Sequence, residues 1–269
     1  MELQNKVTIV TGGASGLGRA TVERFAKQGS SVAIFDLSEE SGNALSQDLG
    51  SKVMYCQVDV ADDDSVRRGI DAVMEKFGAI HICVNCAGRG GGATKTVGRK
   101  GAFPMDLFRE VININLVGTF SVLSQAAEKM ATNEADENGE RGVIINTASI
   151  AAYEGQKGQV AYAASKGGLI SITLPIARDL AFYGIRIVTI APGLFETPIL
   201  KGLSAEVKES LAKDIPNPSR LGDVTEFAAL AEHIVHNRYI NGETIRLDAA
   251  LRMYSGPTPG EKTLAGWNE

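Results

Sequence analysis

Short apolar runs alternate with amphipathic stretches from one end of this 269-residue chain to the other. The runs Val7–Val10, Ser31–Phe35, Val53–Val58, His81–Asn85, Val143–Thr147, Arg186–Ala191 and Glu243–Leu247 are rich in valine and isoleucine, as strands covered on both faces are. Between them, apolar residues recur at helical spacing over Gly18–Gln28, Gly42–Leu49, Asp63–Phe77, Met105–Met130, Tyr162–Phe182 and Val224–Val235. Strands separated by helices pair in parallel through right-handed crossovers. The expectation is an α/β fold: one doubly wound sheet of about seven parallel strands with helices on both faces. The rival α/β barrel binds phosphate late in the chain, whereas the glycine-rich stretch here follows the first strand.

Two segments break the rhythm. Arg89–Phe103 is polar and glycine-rich, Asn133–Arg141 is polar and acidic, and both read as surface insertions. No linker divides the chain, so residues 1–253 are expected to form one catalytic domain, with 254–269 an irregular tail carrying Pro257 and Pro259. Lys plus Arg is 27 and Asp plus Glu is 32, a net charge of −5, which argues against direct nucleic-acid binding. No apolar run reads as long enough to span a membrane. MELQNK leads almost directly into the first strand and leaves no room for a cleavable presequence. The expected compartment is the cytoplasm, with a mitochondrial location as the alternative. Cys56, Cys83 and Cys86 fall in or beside buried strands and read as core residues, despite the C-x-x-C spacing of the last two.

The turn after the first strand, Gly12-Gly13-Ala14-Ser15-Gly16-Leu17-Gly18, opens the first helix. Small residues there let backbone amides approach a pyrophosphate, and the helix N-terminus favours its charge. Asp36 ends the second strand, 18 residues after Gly18. A carboxylate at that place accepts from ribose hydroxyls and repels a 2′-phosphate, and no basic residue adjoins it, so NAD is expected over NADP. The competing role, capping the next helix, is one that Ser38 could fill. Asp59 and Val60 end the third strand, where the adenine edge would lie. Cys86, Ala87 and Gly88 end the fourth and would let a cofactor lie close.

A phenol is a poor base near neutrality, and an ammonium one helical turn away favours its phenolate. Tyr-x-x-x-Lys on a helix is therefore a device for acid–base chemistry, though a short and common one. Two copies occur. Tyr153 and Lys157 lie among glycines and read as loop, whereas Tyr162 and Lys166 open a long helix lined with small residues. Ser149 follows the fifth strand, where its hydroxyl could hold a substrate carbonyl; its competing role is a helix cap. Asp62, Asp63 and Asp64 mimic a metal cluster but begin a helix whose dipole they complement. His233 and His236 lack an evident third ligand, so no metal site is expected.

Together TGGASGLG, NCAG, Asn115, Ser149 and YAASK resemble the short-chain dehydrogenase/reductase family, from Lys6 to about Met253. That resemblance implies a catalytic tetrad of Asn115, Ser149, Tyr162 and Lys166. In it Tyr is the acid/base, Ser polarises the carbonyl, Lys lowers the Tyr pKa and holds the nicotinamide ribose, and Asn positions a water. It further implies that Pro192, Gly193, Phe195 and Thr197 touch the cofactor, together with Tyr162 and Lys166. GVIINTASIAAYEGQKGQ, TIAPGLFETP, PSRLGD and NGETIRLD, with Pro175 inside the catalytic helix, are similar to the type 2 3-hydroxyacyl-CoA dehydrogenases of that family. The likeness implies a short-chain or branched 3-hydroxyacyl-CoA substrate, a homotetramer, a substrate lid at about 194–215, and Gln159 near the substrate. A hydroxysteroid or other apolar secondary alcohol is the alternative substrate. A scaffold subunit in RNA processing is the alternative of another kind. Glu196 and Ala249 stand where those relatives carry glycine, and the tail after Met253 is longer than theirs.

Asp36 generates a prediction of its own. Steady-state rates with the two cofactors side by side should show kcat/KM for NAD far above that for NADP, and equal values would refute the role given to this carboxylate.

Overall fold

The computed structural model describes residues 1–98, 101–197 and 204–254, without the side chain of Ala205. Seven strands form one parallel sheet: β1 (Val7–Thr11), β2 (Ser31–Asp36), β3 (Val53–Gln57), β4 (Ile82–Asn85), β5 (Gly142–Thr147), β6 (Ile185–Pro192) and β7 (Thr244–Leu247). Their spatial order is β3-β2-β1-β4-β5-β6-β7. The order reverses direction between β1 and β4, the switch point where such sheets open a crevice at the carboxyl ends of their strands. Each expected strand is present, within two residues at either end.

Alternate residues of each inner strand feed two separate cores. Val10, Ile34, Val84, Ile145 and Val188 meet α1 (Gly16–Lys27) and the last described helix (Val224–His236) on one face. Ile9, Phe35, Cys83, Ile144 and Ile187 meet α3 (Asp63–Phe77) and the long helices on the other. α2 (Glu39–Leu49) lies on the first face, where Leu45 joins that core.

The expected helix over Met105–Met130 is interrupted. It runs as α4 (Met105–Ile112), a π-helical turn (Asn113–Gly118) and α5 (Thr119–Met130). The Thr119 hydroxyl donates to the Asn115 carbonyl at 2.8 Å inside this wider turn. Hydrophobic spacing does not distinguish 3.6-residue turns from one wider turn, and π-bulges favour functional sites. The next helix, α6, spans Val160–Leu180, two residues ahead of the expected start, and Pro175 lies within it. With its 3₁₀ extension to Tyr183, it is long and apolar enough, at mean hydropathy 1.3, to cross a membrane. That corrects the expectation that no such run exists. Length and composition alone do not make it a span, since it packs on β6 and carries the buried Lys166. α7 (Ala205–Lys213) and α8 (Val224–His236) complete the described helices, and both carry side-chain N-caps, from Ser204 and Asp223.

Arg89–Phe103 is exposed over most of its length and holds a two-residue antiparallel pairing, Val97–Gly98 with Gly101–Ala102. The acidic insertion is not wholly a surface feature. Glu140 is buried and accepts from Arg186 Nε at 2.6 Å, while the same guanidinium donates to the carbonyls of Ile234 and Val235 at the end of α8 and of Ile240 in the turn after it. The buried arginine needs an opposite charge, and the insertion supplies it. The expected lid falls partly on residues 198–203 and the tail on 255–269, which lie outside the described residues.

Beyond β7, Ala249 and Ala250 adopt φ of 50° and 63°. A left-handed backbone brings Cβ against the following carbonyl, at roughly 1–2 kcal/mol per residue. Glycine at position 249 would relieve this, with a smaller opposing entropy cost in the unfolded chain. Ala249→Gly is expected to raise stability by up to about 1 kcal/mol in urea titrations at unchanged m-value.

Candidate active site

The sheet brings the four expected catalytic residues to the carboxyl ends of β4 and β5. Ser149 lies two residues past β5 and begins a 3₁₀ turn, Ile150–Ala152, whose Ala151 N–H donates to its hydroxyl at 3.1 Å. The cap role and a catalytic placement therefore coexist, because the same hydroxyl faces the Tyr162 phenol closely enough to favour its ionised form. Tyr162 and Lys166 follow on the first turns of α6, and Lys166 Nζ stands 5.8 Å from the phenol ring centroid. Inside the protein, Lys166 Nζ donates to the Thr147 carbonyl at 2.7 Å.

Asn115 is fully buried in the π turn. Its amide accepts from the Arg89 N–H at 2.8 Å and donates to the Arg89 carbonyl at 2.9 Å and to Ser165 Oγ at 3.1 Å. Ser165 Oγ in turn donates to the Tyr162 carbonyl at 2.8 Å. Asn115 is thus tied to the tyrosine through Ser165 and fastens the chain just after Gly88. Sequence reasoning passed over Ser165; its only signal is a small polar residue three positions after Tyr162, where a hydroxyl can bond back to the preceding turn.

Burial sets the protonation of this group. It pushes the Tyr162 phenol above its ordinary value of 10.0 more strongly than the Ser149 hydrogen bond lowers it. Burial also pulls the Lys166 ammonium from 10.5 down to about 8, against a smaller opposing effect of the Cys86 thiol. Desolvation is the largest influence on both groups, and Lys166 is itself buried with its ammonium 5.8 Å from the phenol ring centroid. At neutral pH the phenol carries its proton.

The glycine turn sits beside this group. Gly12 has a φ of 63°, and a Cβ there would stand 2.9 Å from the Ala87 amide nitrogen. A Cβ at Gly18 would run into the Gly12 carbonyl. Gly16 and Leu17 begin α1 after Ser15, which holds the N-cap position without a side-chain cap bond. The Asp36 carboxylate accepts from the Ala14 N–H at 3.0 Å and from the Ser38 N–H at 3.0 Å. Ser38 makes no side-chain cap, so Asp36 both leads into α2 and braces the glycine turn. Each of its oxygens is held by one amide and retains a free lone pair. Asp59 accepts from the Ala61 N–H at 2.9 Å, and Val60 is buried. The Ala87 N–H is fixed by Thr11 Oγ1 at 3.0 Å, and the Cys86 thiol accepts from Thr147.

Pro192 ends β6, the Gly193 N–H donates to the Leu247 carbonyl at 2.9 Å, and Phe195 is buried against Gly222. Thr197 is partly buried, and its N–H donates to the Phe195 carbonyl at 2.8 Å. Gln159 stands at the N-cap position of α6, and its side-chain oxygen accepts from the Gln156 N–H at 3.0 Å. Tyr153 is brought to neither Lys157 nor the tetrad; the Arg246 guanidinium lies 5.0 Å from its ring centroid. Asp62 caps α3 by accepting from Asp64 and Ser65 N–H groups, Asp63 accepts from Ser121 Oγ, and His236 faces Glu2. Burial pushes the thiols of Cys83 and Cys86 up to about 12 and about 11, and all three cysteines are free.

Residues 6–208 match the family described as short chain dehydrogenase. The chain belongs to that family. This dehydrogenase is 51% identical, over 93% of its length and 99% of the relative's, to the 3-hydroxyacyl-CoA dehydrogenase type-2 of Drosophila melanogaster. It is 49% identical, over 92% and 95%, to the Homo sapiens protein of the same name. Among solved structures, the 3-hydroxyacyl-CoA dehydrogenase type-2 of Mycobacterium avium superposes with a TM-score of 0.90 at 42% identity, covering 95% of this chain and 99% of that one. The dehydrogenase is an oxidoreductase of a family that typically uses a nicotinamide cofactor.

The Lys166 shift carries a pH dependence. Its folded pKa lies below its unfolded value, so the unfolded chain holds the extra proton between about pH 8 and 10.5, and this group's penalty fades as pH rises through that window. A Lys166→Met variant should lose turnover. The wild-type stability, relative to the variant's, should climb from pH 8 towards pH 10.5 in urea titrations; a constant difference would refute the buried-ammonium assignment.

Proposed function

We propose that this enzyme interconverts 3-hydroxyacyl-CoA and 3-ketoacyl-CoA thioesters with NAD as the hydride carrier. The observation that carries the reading is the Ser149–Tyr162–Lys166–Asn115 group built at the switch point beside the Gly12–Gly18 turn. The names borne by relatives at about half identity support the thioester substrate.

The residues fit a dinucleotide. The glycine turn packs backbone on backbone, Gly12 against Ala87 and Gly18 against Gly12, and leads into the α1 N-terminus that a pyrophosphate would meet, while the free lone pairs of Asp36 suit ribose hydroxyls. Asp59 and Val60 would flank the adenine, and Cys86, Ala87 and Gly88 the trough between. Pro192, Gly193, Phe195 and Thr197 would border the nicotinamide. When bound, the cofactor supplies or accepts the hydride. Ser149 and Tyr162 hold the substrate oxygen between two hydroxyls. The Tyr162 phenol, protonated at neutral pH, gives its proton to that oxygen during reduction and takes one from the alcohol during oxidation. Lys166 contributes its charge and a donor for the nicotinamide ribose, and Asn115 keeps the floor of the site fixed. Leu194, Leu221 and Met253 pack on buried Ile150 and Leu251 in an apolar cluster that begins next to Ser149 and would give a short acyl chain an apolar wall to lie against. The same cluster would accept an apolar secondary alcohol such as a hydroxysteroid, the second substrate reading.

A homotetramer is part of this proposal. Val117, Phe120 and Leu174 leave half-exposed apolar side chains on the π turn, α5 and α6, the kind of surface that subunit contacts cover.

Purified enzyme with NADH is expected to reduce acetoacetyl-CoA with higher kcat/KM than any ketosteroid in a parallel panel; no turnover of the thioester would remove the substrate class. Tyr162→Phe should abolish turnover and leave NADH binding, read by fluorescence titration, nearly unchanged. A protonated phenol favours reduction at neutral pH, so the oxidation rate should rise as the medium becomes alkaline while the reduction rate falls.

A further inference from the structure

The proposed function leaves one charged cluster without a task. Glu154 lies five residues after Ser149, in the segment leading to Tyr162. Its carboxylate accepts from Arg246 Nη1 at 2.8 Å, Arg246 Nη2 at 3.2 Å and the Met253 N–H at 3.0 Å. Arg246 Nε donates to Asp248 Oδ2 at 2.6 Å, and Nη2 donates also to the Leu251 carbonyl at 3.1 Å. Arg252 adds a second cation, within 3.4 Å of Glu154 and 3.3 Å of Asp248. An isolated exposed ion pair is worth little, but a bidentate, partly buried pair within a network fixes geometry as well as charge. The side chains of Arg246 and Glu154 are each only about one-fifth exposed, and that of Asp248 is 8% exposed.

This guanidinium reaches three walls of the site. Through Glu154 it holds the Ser149 turn, because the N–H groups of Tyr153 and Glu154 both donate to Ile150 O, at 2.9 and 3.0 Å, and Ser149 caps the same turn. Through Asp248 it holds the cofactor side: a Cβ on Gly193 would fall 2.9 Å from Asp248 Cα. Through Leu251 and Met253 it holds the apolar cluster that contains Ile150 and Leu194. Arg252 reaches the same three partners, with Nη1 donating to the Leu251 carbonyl at 2.7 Å, but its side chain is 58% exposed against 23% for Arg246, which alone makes the bidentate bond to Glu154.

We propose that Arg246 is a positioning residue for the substrate. Through Glu154 and Asp248 it sets the spacing between the Ser149 hydroxyl, the Gly193 end of β6 and the apolar wall, and so decides how an acyl chain is held while its carbonyl meets Ser149 and Tyr162. The inference rests on the dehydrogenase reading above. It places the effect on substrate handling, since the adenosine end of the cofactor lies with Asp36 on the far side of the switch point.

The test uses the full chain and two near-isosteric changes, Arg246→Lys and Glu154→Gln, with NADH titration, melting and kinetics on acetoacetyl-CoA. Misplacing reacting groups by an ångström costs up to about a hundredfold. Both variants are expected to lose about ten- to a hundredfold in kcat/KM, with NADH affinity within about twofold of wild type and a cooperative melt retained. The double variant should lose little more than either single one, because the two side chains act as a unit. Unchanged kcat/KM in Glu154→Gln would overturn the proposal. So would a loss that tracks weakened NADH binding and a lowered melting temperature in equal measure, which is what a merely structural pair gives. Should wild type ignore acetoacetyl-CoA, the thioester assignment fails by itself, and the same comparison is read on whichever ketone of the panel it reduces.

Discussion

The hydrogen bond from Lys166 to the Thr147 carbonyl joins the end of a central strand to the start of the longest helix. Everything chemical in the molecule is arranged around it. An ammonium inside a protein is costly unless its donors are met, and this one is met by backbone that a parallel sheet leaves free where β5 stops. The bond fixes where α6 begins relative to the sheet. That beginning presents Tyr162, and the two residues beyond β5 bring Ser149 to face the phenol. The tetrad is thus a property of two element ends meeting, with Asn115 supplied by a helix that widens by one residue per turn to reach them.

Much of the architecture was readable from the chain because the strands are covered on both faces, so that each is a compact apolar run bounded by polar residues. The glycine turn was readable because strand, turn and helix follow in fixed order. The two Tyr-x-x-x-Lys copies were separable by their neighbours: glycines around Lys157 forecast a loop, and in the structure Tyr153 lies against Arg246 instead. What could not be read has two causes. The π turn keeps the apolar spacing of an ordinary helix, whereas the Asn115–Ser165 link, the buried Glu140 and the Arg246 cluster each depend on residues distant in sequence meeting across elements. Hydrophobic period reports which face is inward; it says nothing about which carboxylate a buried guanidinium will find.

Cap and catalytic hydroxyl are compatible roles for Ser149: it caps the 3₁₀ turn while facing the phenol, since one oxygen can accept from an amide and keep a lone pair and a proton for a second partner. Desolvation is the largest influence on both Tyr162 and Lys166. The enclosed site that strengthens each electrostatic contact also disfavours the ions themselves.

The Glu140–Arg186 pair stands at the opposite end of the strands from this chemistry, where β5 and β6 begin. An acidic loop with the sequence of a surface insertion holds the guanidinium that gathers the last carbonyls of α8 and that of Ile240 beyond it. The molecule therefore keeps its anchorage and its reactivity on separate poles of one sheet. Sequence drift at the reactive pole can reshape what is bound without loosening the anchored one, a division of labour that lets a single scaffold be retuned to new alcohols while remaining folded.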